Sequence, residues 1–251
     1  MKVSIITVVY NGADTLRDCI ESVLGQTHQN LEYIVVDGAS TDDSPVIARQ
    51  FGAKIAVFLS EPDRGIYDAM NKGLASATGE VVGFLNADDL YAHPNVIANV
   101  VATLQTEKAE AAYGDLVYVD RLHPERIVRT WLAGRYRPGQ FRQGWMPPHP
   151  TFFVRKKVYD ELGGFNLQLK SAADYELMLR FIHKHGVRLS YLPQILVRMR
   201  IGGLSNASLH NRLRANREDR RAWVLNDLKP HALTLWWKPL RKVAQFLKRS
   251  R

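Results

Sequence analysis

Val81-Val82-Gly83-Phe84-Leu85 is an unbroken apolar run that stops abruptly at Asn86-Ala87-Asp88-Asp89. A strand apolar on both faces has to be covered by helices on both sides, which points to a parallel α/β sheet. Such sheets hold ligands outside the carboxyl ends of their strands. Two adjacent carboxylates there, with no basic residue nearby in sequence, repel each other unless a cation lies between them. Hard divalent cations take oxygen ligands, and Mg2+ commonly uses one or two carboxylates plus substrate phosphates. The pair therefore has two readings. It is a metal site that grips a diphosphate, or an Asn/Asp turn capping the helix that starts near Pro94.

The same unit recurs along the chain. Residues 2–10 read as a buried strand and Asn11-Gly12 as a turn. Over residues 14–26, Leu16, Cys19, Ile20, Val23 and Leu24 fall at helical spacing. A strand over 31–36 closes at Asp37-Gly38-Ala39-Ser40-Thr41-Asp42-Asp43, followed by a helix over 44–51 and a strand over 55–59. Strands alternating with helices through short loops predict a parallel sheet built from crossover units. Farther on, the pattern gives a helix over 94–105, a strand over 111–120 with 127–131 beside it, a short strand over 151–154 and a helix over 156–162. Two strands, 188–192 and 195–200, close the body around Pro193.

Several residues stand out for chemistry. Asp37 ends a strand beside a glycine, where a carboxylate accepts from a base or a ribose hydroxyl, or caps the next helix. No G-x-G-x-x-G follows the first strand, so a nicotinamide site is not supported. Arg64, Asp68 and Asn71 share one face of the helix after Pro62 and Gly65, facing either a nucleotide or solvent. The stretch 134–150 carries Arg135, Tyr136, Arg137, Phe141, Arg142, Trp145 and His149. Aromatic faces there suit sugar rings and arginines suit phosphate. Trp145, His149 and Arg142 are thus acceptor or phosphate candidates, with a packed structural histidine the other reading of His149. Asp174 lies near the start of an amphipathic helix, where a carboxylate is favoured by the helix dipole.

Taken together, Val3-Ser4-Ile5-Ile6-Thr7-Val8-Val9-Tyr10-Asn11, Asp37-Gly38-Ala39-Ser40-Thr41-Asp42, Asp63-Arg64-Gly65 and Asn86-Ala87-Asp88-Asp89 resemble family 2 glycosyltransferases of the GT-A fold. The resemblance covers about residues 1–204. It implies a Rossmann-like α/β domain with a mixed, mostly parallel sheet flanked by helices. Its nucleotide-sugar half spans 1–105 and its acceptor half 106–204. It further implies an inverting, metal-dependent transfer of one sugar from a nucleotide-diphosphate sugar, with UDP the expected nucleotide and Mg2+ or Mn2+ the cofactor. Thr7, Val9, Tyr10, Asp37, Arg64, Asp68 and Asn86 are the implied nucleotide-binding residues, Asp88 and Asp89 the metal ligands, and Asp174 the catalytic base. Asn86 departs from the family pattern, because many members have the first Asp of an Asp-x-Asp there. Ala173 departs likewise, in place of the Glu of a Glu-Asp motif. The nearest thing to the Gln-x-x-Arg-Trp of processive synthases, Gln140-Phe141-Arg142-Gln143-Gly144-Trp145, has the wrong spacing.

Charge divides the chain. The net charge is +9, yet residues 1–204 hold 22 Lys/Arg against 22 Asp/Glu and residues 205–251 hold 12 against 3. A neutral body is not expected to take nucleic acid, while a basic tail suggests a tether. In that tail Trp236, Leu240, Val243, Ala244 and Leu247 share one helical face. Lys238, Arg241, Lys242, Gln245, Lys248 and Arg249 line the other. This reads as an interfacial helix on an anionic membrane surface, or as a helix packed on the body; residues 212–221 are an alternative acceptor-phosphate site. The first ten residues alternate too much for a signal peptide, and no apolar run reaches the ~20 residues that span a bilayer. A single cysteine, Cys19, rules out a disulfide scaffold. The expected location is cytoplasmic, peripheral on the inner face of the plasma membrane. The expected acceptor is a polyprenyl-diphosphate-linked saccharide of O-antigen or capsule type; oligomeric state is not encoded in any motif. Two other classes compete: a sugar-nucleotide pyrophosphorylase, disfavoured because Tyr10-Asn11-Gly12-Ala13 is not a Gly-rich basic loop, and a non-enzymatic binding module driven by the tail.

Overall fold

The computed structural model describes residues 1–202 and 209–229. Its first half consists of β1 (Val3–Val9), α1 (Ala13–Leu24), β2 (Leu31–Asp37), α2 (Ser44–Gln50), β3 (Val57–Ser60), α3 (Ile66–Ser76) and β4 (Val81–Phe84). The four strands are parallel, in the order β3-β2-β1-β4. Every residue of β1 and β4 is buried, as their apolar runs require. One face of the sheet packs on α1 through Leu16, Cys19, Ile20 and Val23, and the other on α3 through Tyr67, Met70 and Leu74. Gly73 allows α3 this close approach, since a Cβ there would strike the Ile6 side chain.

The second half adds β5 (Asp89–Tyr91), α4 (Val96–Thr106), β6 (Ala111–Val119), β7 (Ile127–Trp131), β8 (Phe153–Arg155), α5 (Lys156–Leu162), α6 (Ala173–Met178) and β9 (Leu189–Arg200); α7 (Leu209–Leu225) follows. β8 lies antiparallel between β4 and β6 and joins the halves into one nine-stranded sheet. β9 runs parallel to β6, while β5 and β7 run antiparallel to β9 and β6. The expected mixed, mostly parallel α/β architecture is present.

Four local expectations change. Residues 188–192 and 195–200 belong to a single strand, β9. Its register against β6 slips between Tyr113 and Asp115, and this irregularity absorbs Pro193, which lacks an N–H for the ladder. Asp89 opens strand β5 instead of a turn leading into the next helix. The stretch 134–150 is no open loop: a short 3-10 turn, Gln140–Gln143, drives Phe141 and Trp145 into the core beside Tyr113. A second 3-10 turn, His149–Thr151, takes the place of the start of the expected strand at 151.

The basic tail is divided. Its helix α7 buries Trp223 completely, in the same apolar cluster as Ala173, Tyr175 and Phe181 of the body. The amphipathic run from Trp236 to Leu247 lies outside the described residues, as do the side chains of 212–216. No helix among the described residues is long and apolar enough to cross a membrane.

Candidate active site

Parallel pairing aligns Val9 with Asp37 and Asp37 with Ser60 along the carboxyl edge of the sheet. The Asp37 side chain, 0% exposed, accepts from Ser60 Oγ at 2.7 Å and from the Ser40 N–H at 3.2 Å. The loops after β1 and β2 are stitched together. Asn11 Oδ1 accepts from the Thr41 N–H at 2.9 Å, and Ser40 Oγ accepts from the Asn11 N–H at 2.8 Å. Asp42 and Ser44 accept from the N–H groups of Ala13 and Gly12. Asn11 and Ala39 both take left-handed backbone angles, φ 49° and 59°, in these turns. Over Gly38 lies the carboxylate of Asp63, so that a Cβ at Gly38 would collide with it. Tyr10, 61% exposed, stands at the rim beside Gly38.

Thr7 and Val9, two of the implied nucleotide residues, have buried side chains. Thr7 is wholly buried, with its hydroxyl between Tyr33 OH at 3.0 Å and Cys19 Sγ at 3.7 Å, so its side chain belongs to the scaffold. Val9 is packed in the core, and its carbonyl accepts from the Gly38 N–H. The strand alternation that points Thr7 inward is visible only once the register is known.

At the start of α3, Asp63 Oδ1 accepts from the Gly65 N–H at 2.7 Å, and Asp68 accepts from the Arg64 N–H and guanidinium at 3.1 and 2.9 Å. Arg64 holds the Asp68 carboxyl below the usual carboxylate range, and its own side chain is 78% exposed. Of the three residues expected to share a helix face, Asp68 and Asn71 lie on α3, while Arg64 precedes its N-cap Gly65. The Asn71 amide is spent on the main chain of Phe165, donating to the carbonyl and accepting from the N–H.

The acidic turn closes with the Asp89 N–H on the Asn86 carbonyl at 3.0 Å. Asp88 is half-buried and Asp89 fully buried. Burial pushes the Asp88 carboxyl up, against the opposing charges of Arg121 and Arg200, and burial plus the Asp88 charge pushes Asp89 up further. Asn86 Oδ1, Asp89 Oδ1 and Tyr91 OH are buried without a hydrogen-bond partner. Arg200, itself buried, donates to the carbonyls of Asp88 and Arg121 and pairs with Asp18, which fixes the turn from behind. No group of three or more His, Cys, Asp or Glu among the described residues is arranged to hold a metal. What is present fits a divalent cation that takes its remaining ligands from a diphosphate: one half-open carboxylate, and two orphaned oxygens beside it.

Asp174 sits in the first turn of α6, and Tyr67 OH donates to its Oδ1 at 2.9 Å. The His149 ring stacks on Phe84, two residues before Asn86, at 6.0 Å and meets Phe165 edge-on at 5.7 Å. Burial lowers its pKa, with the Asp174 charge opposing. His149 is thus both packed and beside the acid. Trp145, expected to meet the acceptor, is buried, and its Nε1 donates to the Ala133 carbonyl at 2.9 Å. Arg142 is exposed on the 3-10 turn, and its charge adds to the burial that lowers the His183 pKa. The structure therefore gathers Asp37, Asp63, Arg64, Asp68, Asn86, Asp88, His149 and Asp174 at one end of the sheet. Asp63, Tyr67 and Arg200 were not singled out from sequence. Asp63 was within reach, being the first residue of the Asp63-Arg64-Gly65 motif.

The sequence model of glycosyl transferase family 2 matches residues 4–165. An uncharacterized glycosyltransferase of Mycobacterium tuberculosis is 35% identical over 188 residues, 71% of this chain and 68% of its own length. A PGL/p-HBAD biosynthesis glycosyltransferase of Mycobacterium bovis is 29% identical over 208 residues, 81% of this chain and 78% of its own. Among solved structures, S. aureus TarS 1-349 in complex with UDP-GlcNAc aligns with a TM-score of 0.70 at 19% identity, over 97% of this chain and 73% of that one. Mannosyltransferase PcManGT from Pyrobaculum calidifontis, in complex with GDP-Man and Mn2+, aligns with a TM-score of 0.69 at 21% identity, over 97% and 73%. At such identities these structures speak to the fold.

Proposed function

This chain belongs to glycosyl transferase family 2 and has the GT-A fold, and on that premise we propose that it moves one sugar, with inversion, from a nucleotide-diphosphate sugar to a hydroxyl of a lipid-linked saccharide. The observation that carries this reading is the convergence of Asp37, the Asn86–Asp89 turn and Asp174 on one sheet edge, with Tyr67 of α3 bonded to Asp174. TarS with UDP-GlcNAc and PcManGT with GDP-Man support a nucleotide-sugar donor. UDP is the first nucleotide to test.

The acceptor oxygen attacks the anomeric carbon in line with the departing diphosphate. Asp174 accepts the hydroxyl proton as the new C–O bond forms and the bond to the nucleoside diphosphate breaks. Such a base contributes about 10²–10⁴-fold. Asp37 accepts from the base or ribose, Arg64 and Asp68 rim the same pocket, and neutral His149 meets the acceptor beside Asp174. Asp88, with Asn86 and Asp89 beside it, would hold a Mg2+ or Mn2+, which would supply Lewis-acid stabilisation of charge on the leaving diphosphate; Mn2+ in PcManGT supports this.

The acceptor assignment draws on the exposed Arg135 and Arg137, which suit a polyprenyl diphosphate. Residues 1–105 serve as the donor half and 106–204 as the acceptor half, in a surface-polysaccharide pathway. The basic run 231–251 serves as the peripheral contact with anionic lipid at the inner face of the plasma membrane.

Thermal stabilisation by UDP, GDP, dTDP and CMP, each with and without Mn2+, tests the donor site. A ligand at a hundredfold excess over its dissociation constant adds about 2.7 kcal/mol. Metal-dependent stabilisation by one nucleotide is the expected result; stabilisation by none overturns the reading. Asp174→Asn is expected to keep that stabilisation and to lose turnover.

A further inference from the structure

The helix that carries Asp174 has no side-chain cap of its own. α6 (Ala173–Met178) runs directly into a π-helical stretch, Leu179–Lys184, and its N-cap is Ala172, which offers no side-chain acceptor. The first N–H groups of a helix need partners from outside it, and here those of Ala173 and Asp174 are met by Tyr67 OH. Further support comes from α7. Glu218 accepts from the Ser171 N–H at 2.7 Å, from Ser171 Oγ at 2.9 Å and from the Lys170 N–H at 3.1 Å. The Trp223 Nε1 donates to Tyr175 OH at 2.9 Å, and the Asn226 amide donates to Glu176 Oε1 at 2.9 Å. These contacts bracket Asp174 on both sides in sequence. Glu176 is paired in turn with Arg180, whose guanidinium donates to the carbonyls of Leu162, Gly163 and Gly164, next to the Phe165 that packs on Tyr67.

We propose that α7 is a positioning element for the general base and that Glu218, by capping the Lys170-Ser171 approach to α6 from outside, is the positioning residue through which it acts. The proposal rests on the assignment of Asp174 as base. Its physical logic is distance. Glu218 bonds the chain three and four residues before Asp174, so losing it frees the approach to α6 without touching Asp37, Asp63 or Asp88. A misplacement of about 1 Å at a reacting group costs about 10²-fold in rate. Donor affinity, set at the other side of the sheet edge, is left alone.

The test is steady-state transfer with Glu218→Ala and Glu218→Gln in the full chain, alongside nucleotide affinity by calorimetry and the thermal midpoint. The expected result for E218A is a kcat about 10²-fold lower, with donor KM, nucleotide affinity and thermal midpoint near wild type. E218Q keeps a carbonyl acceptor in the same place and recovers most of the lost kcat. An unchanged kcat in E218A overturns the proposal. So does a parallel fall of kcat, nucleotide affinity and thermal midpoint, since that reports general loosening. Failure of the underlying assignment has a separate signature: D174N then keeps wild-type turnover, whatever Glu218 does.

Discussion

Tyr67 and Asp174, 107 residues apart in sequence, are joined by a 2.9 Å hydrogen bond from the phenol to the carboxylate. Tyr67 comes one residue before Asp68, the partner of Arg64, so adjacent positions of α3 bond Asp174, the proposed base, and Arg64, proposed for the donor side. Tyr67 is itself fixed by stacking on Phe165 at 5.6 Å, and Phe165 by the bidentate amide of Asn71. A single helix thus ties the proposed base to the proposed donor side.

Removing that bond while keeping the ring isolates its role. Tyr67→Phe is expected to lower kcat about 10- to 100-fold and to leave nucleotide affinity unchanged, because Arg64, Asp68 and Asp37 keep their partners. Stability falls by about 1–3 kcal/mol, the range for a lost hydrogen bond to a charged group. Single-turnover rates and calorimetric nucleotide titration on the same preparation check both halves. A loss confined to nucleotide affinity rules out the positioning role.

At the acidic turn the expectation concerns the metal. Asp88 is the one half-open carboxylate of the motif, and Asp89 lies sealed behind it. Chelation should abolish stabilisation by a nucleoside diphosphate and spare any weaker effect of the nucleoside alone, whose proposed contact is Asp37. Asp88→Asn should reproduce the chelated state in the presence of Mn2+. Full nucleotide stabilisation of D88N in Mn2+ would place the cation elsewhere.

Much of this site was legible in the sequence, because apolar runs ending in acids mark the carboxyl ends of parallel strands. Asp37 and Asp88 needed nothing more to be singled out as candidates, whereas Asp174, in the first turn of a helix, was given its role by the family resemblance alone. Side-chain direction was not legible. Thr7 points into the core, and Trp145 spends its indole on Ala133, because register and a tightly folded 3-10 turn decide which way they face. Nor was α7: its composition is basic, and only the burial of Trp223 and Asn226 shows that it belongs to the body. Glu218 and Arg200 act through main-chain carbonyls and N–H groups, which leave no residue pattern to read.

Far from the site, Glu32 gives the fold a measurable acid sensitivity. Burial alone would raise its carboxyl, but bonds from Lys2, Ser4 and Thr78 overcome this and hold it at about 2, against a usual 4.5. A depressed folded-state pKa stabilises the fold fully above the unfolded value and loses that contribution as pH falls through the folded one. The window here runs from about 4.5 down to about 2, and the contribution at neutral pH is about 3 kcal/mol. Urea denaturation at pH 7 should find Glu32→Gln less stable than wild type, with the two converging as pH approaches the lower limit. A difference that stays constant with pH contradicts the assignment.

Truncation can test separately the two roles proposed for the tail. Ending the chain after residue 229 keeps Trp223 buried and the Glu218 bonds intact, so transfer to a detergent-solubilised acceptor should continue at near wild-type kcat. The same cut removes the face formed by Trp236, Leu240, Val243, Ala244 and Leu247, with the basic residues opposite. Each Lys or Arg near an anionic leaflet contributes about 1 kcal/mol. Binding to vesicles containing phosphatidylserine should therefore fall about tenfold or more, measured by sedimentation at fixed ionic strength. Ending the chain after residue 204 is a different lesion. It strips a fully buried Trp from the core, a loss of about 3–5 kcal/mol, and leaves α6 without its external cap, so turnover and stability should fall together. Vesicle binding that survives the cut after 229 would move the membrane contact onto the body. Full turnover after the cut at 204 would show that α6 holds the base without α7.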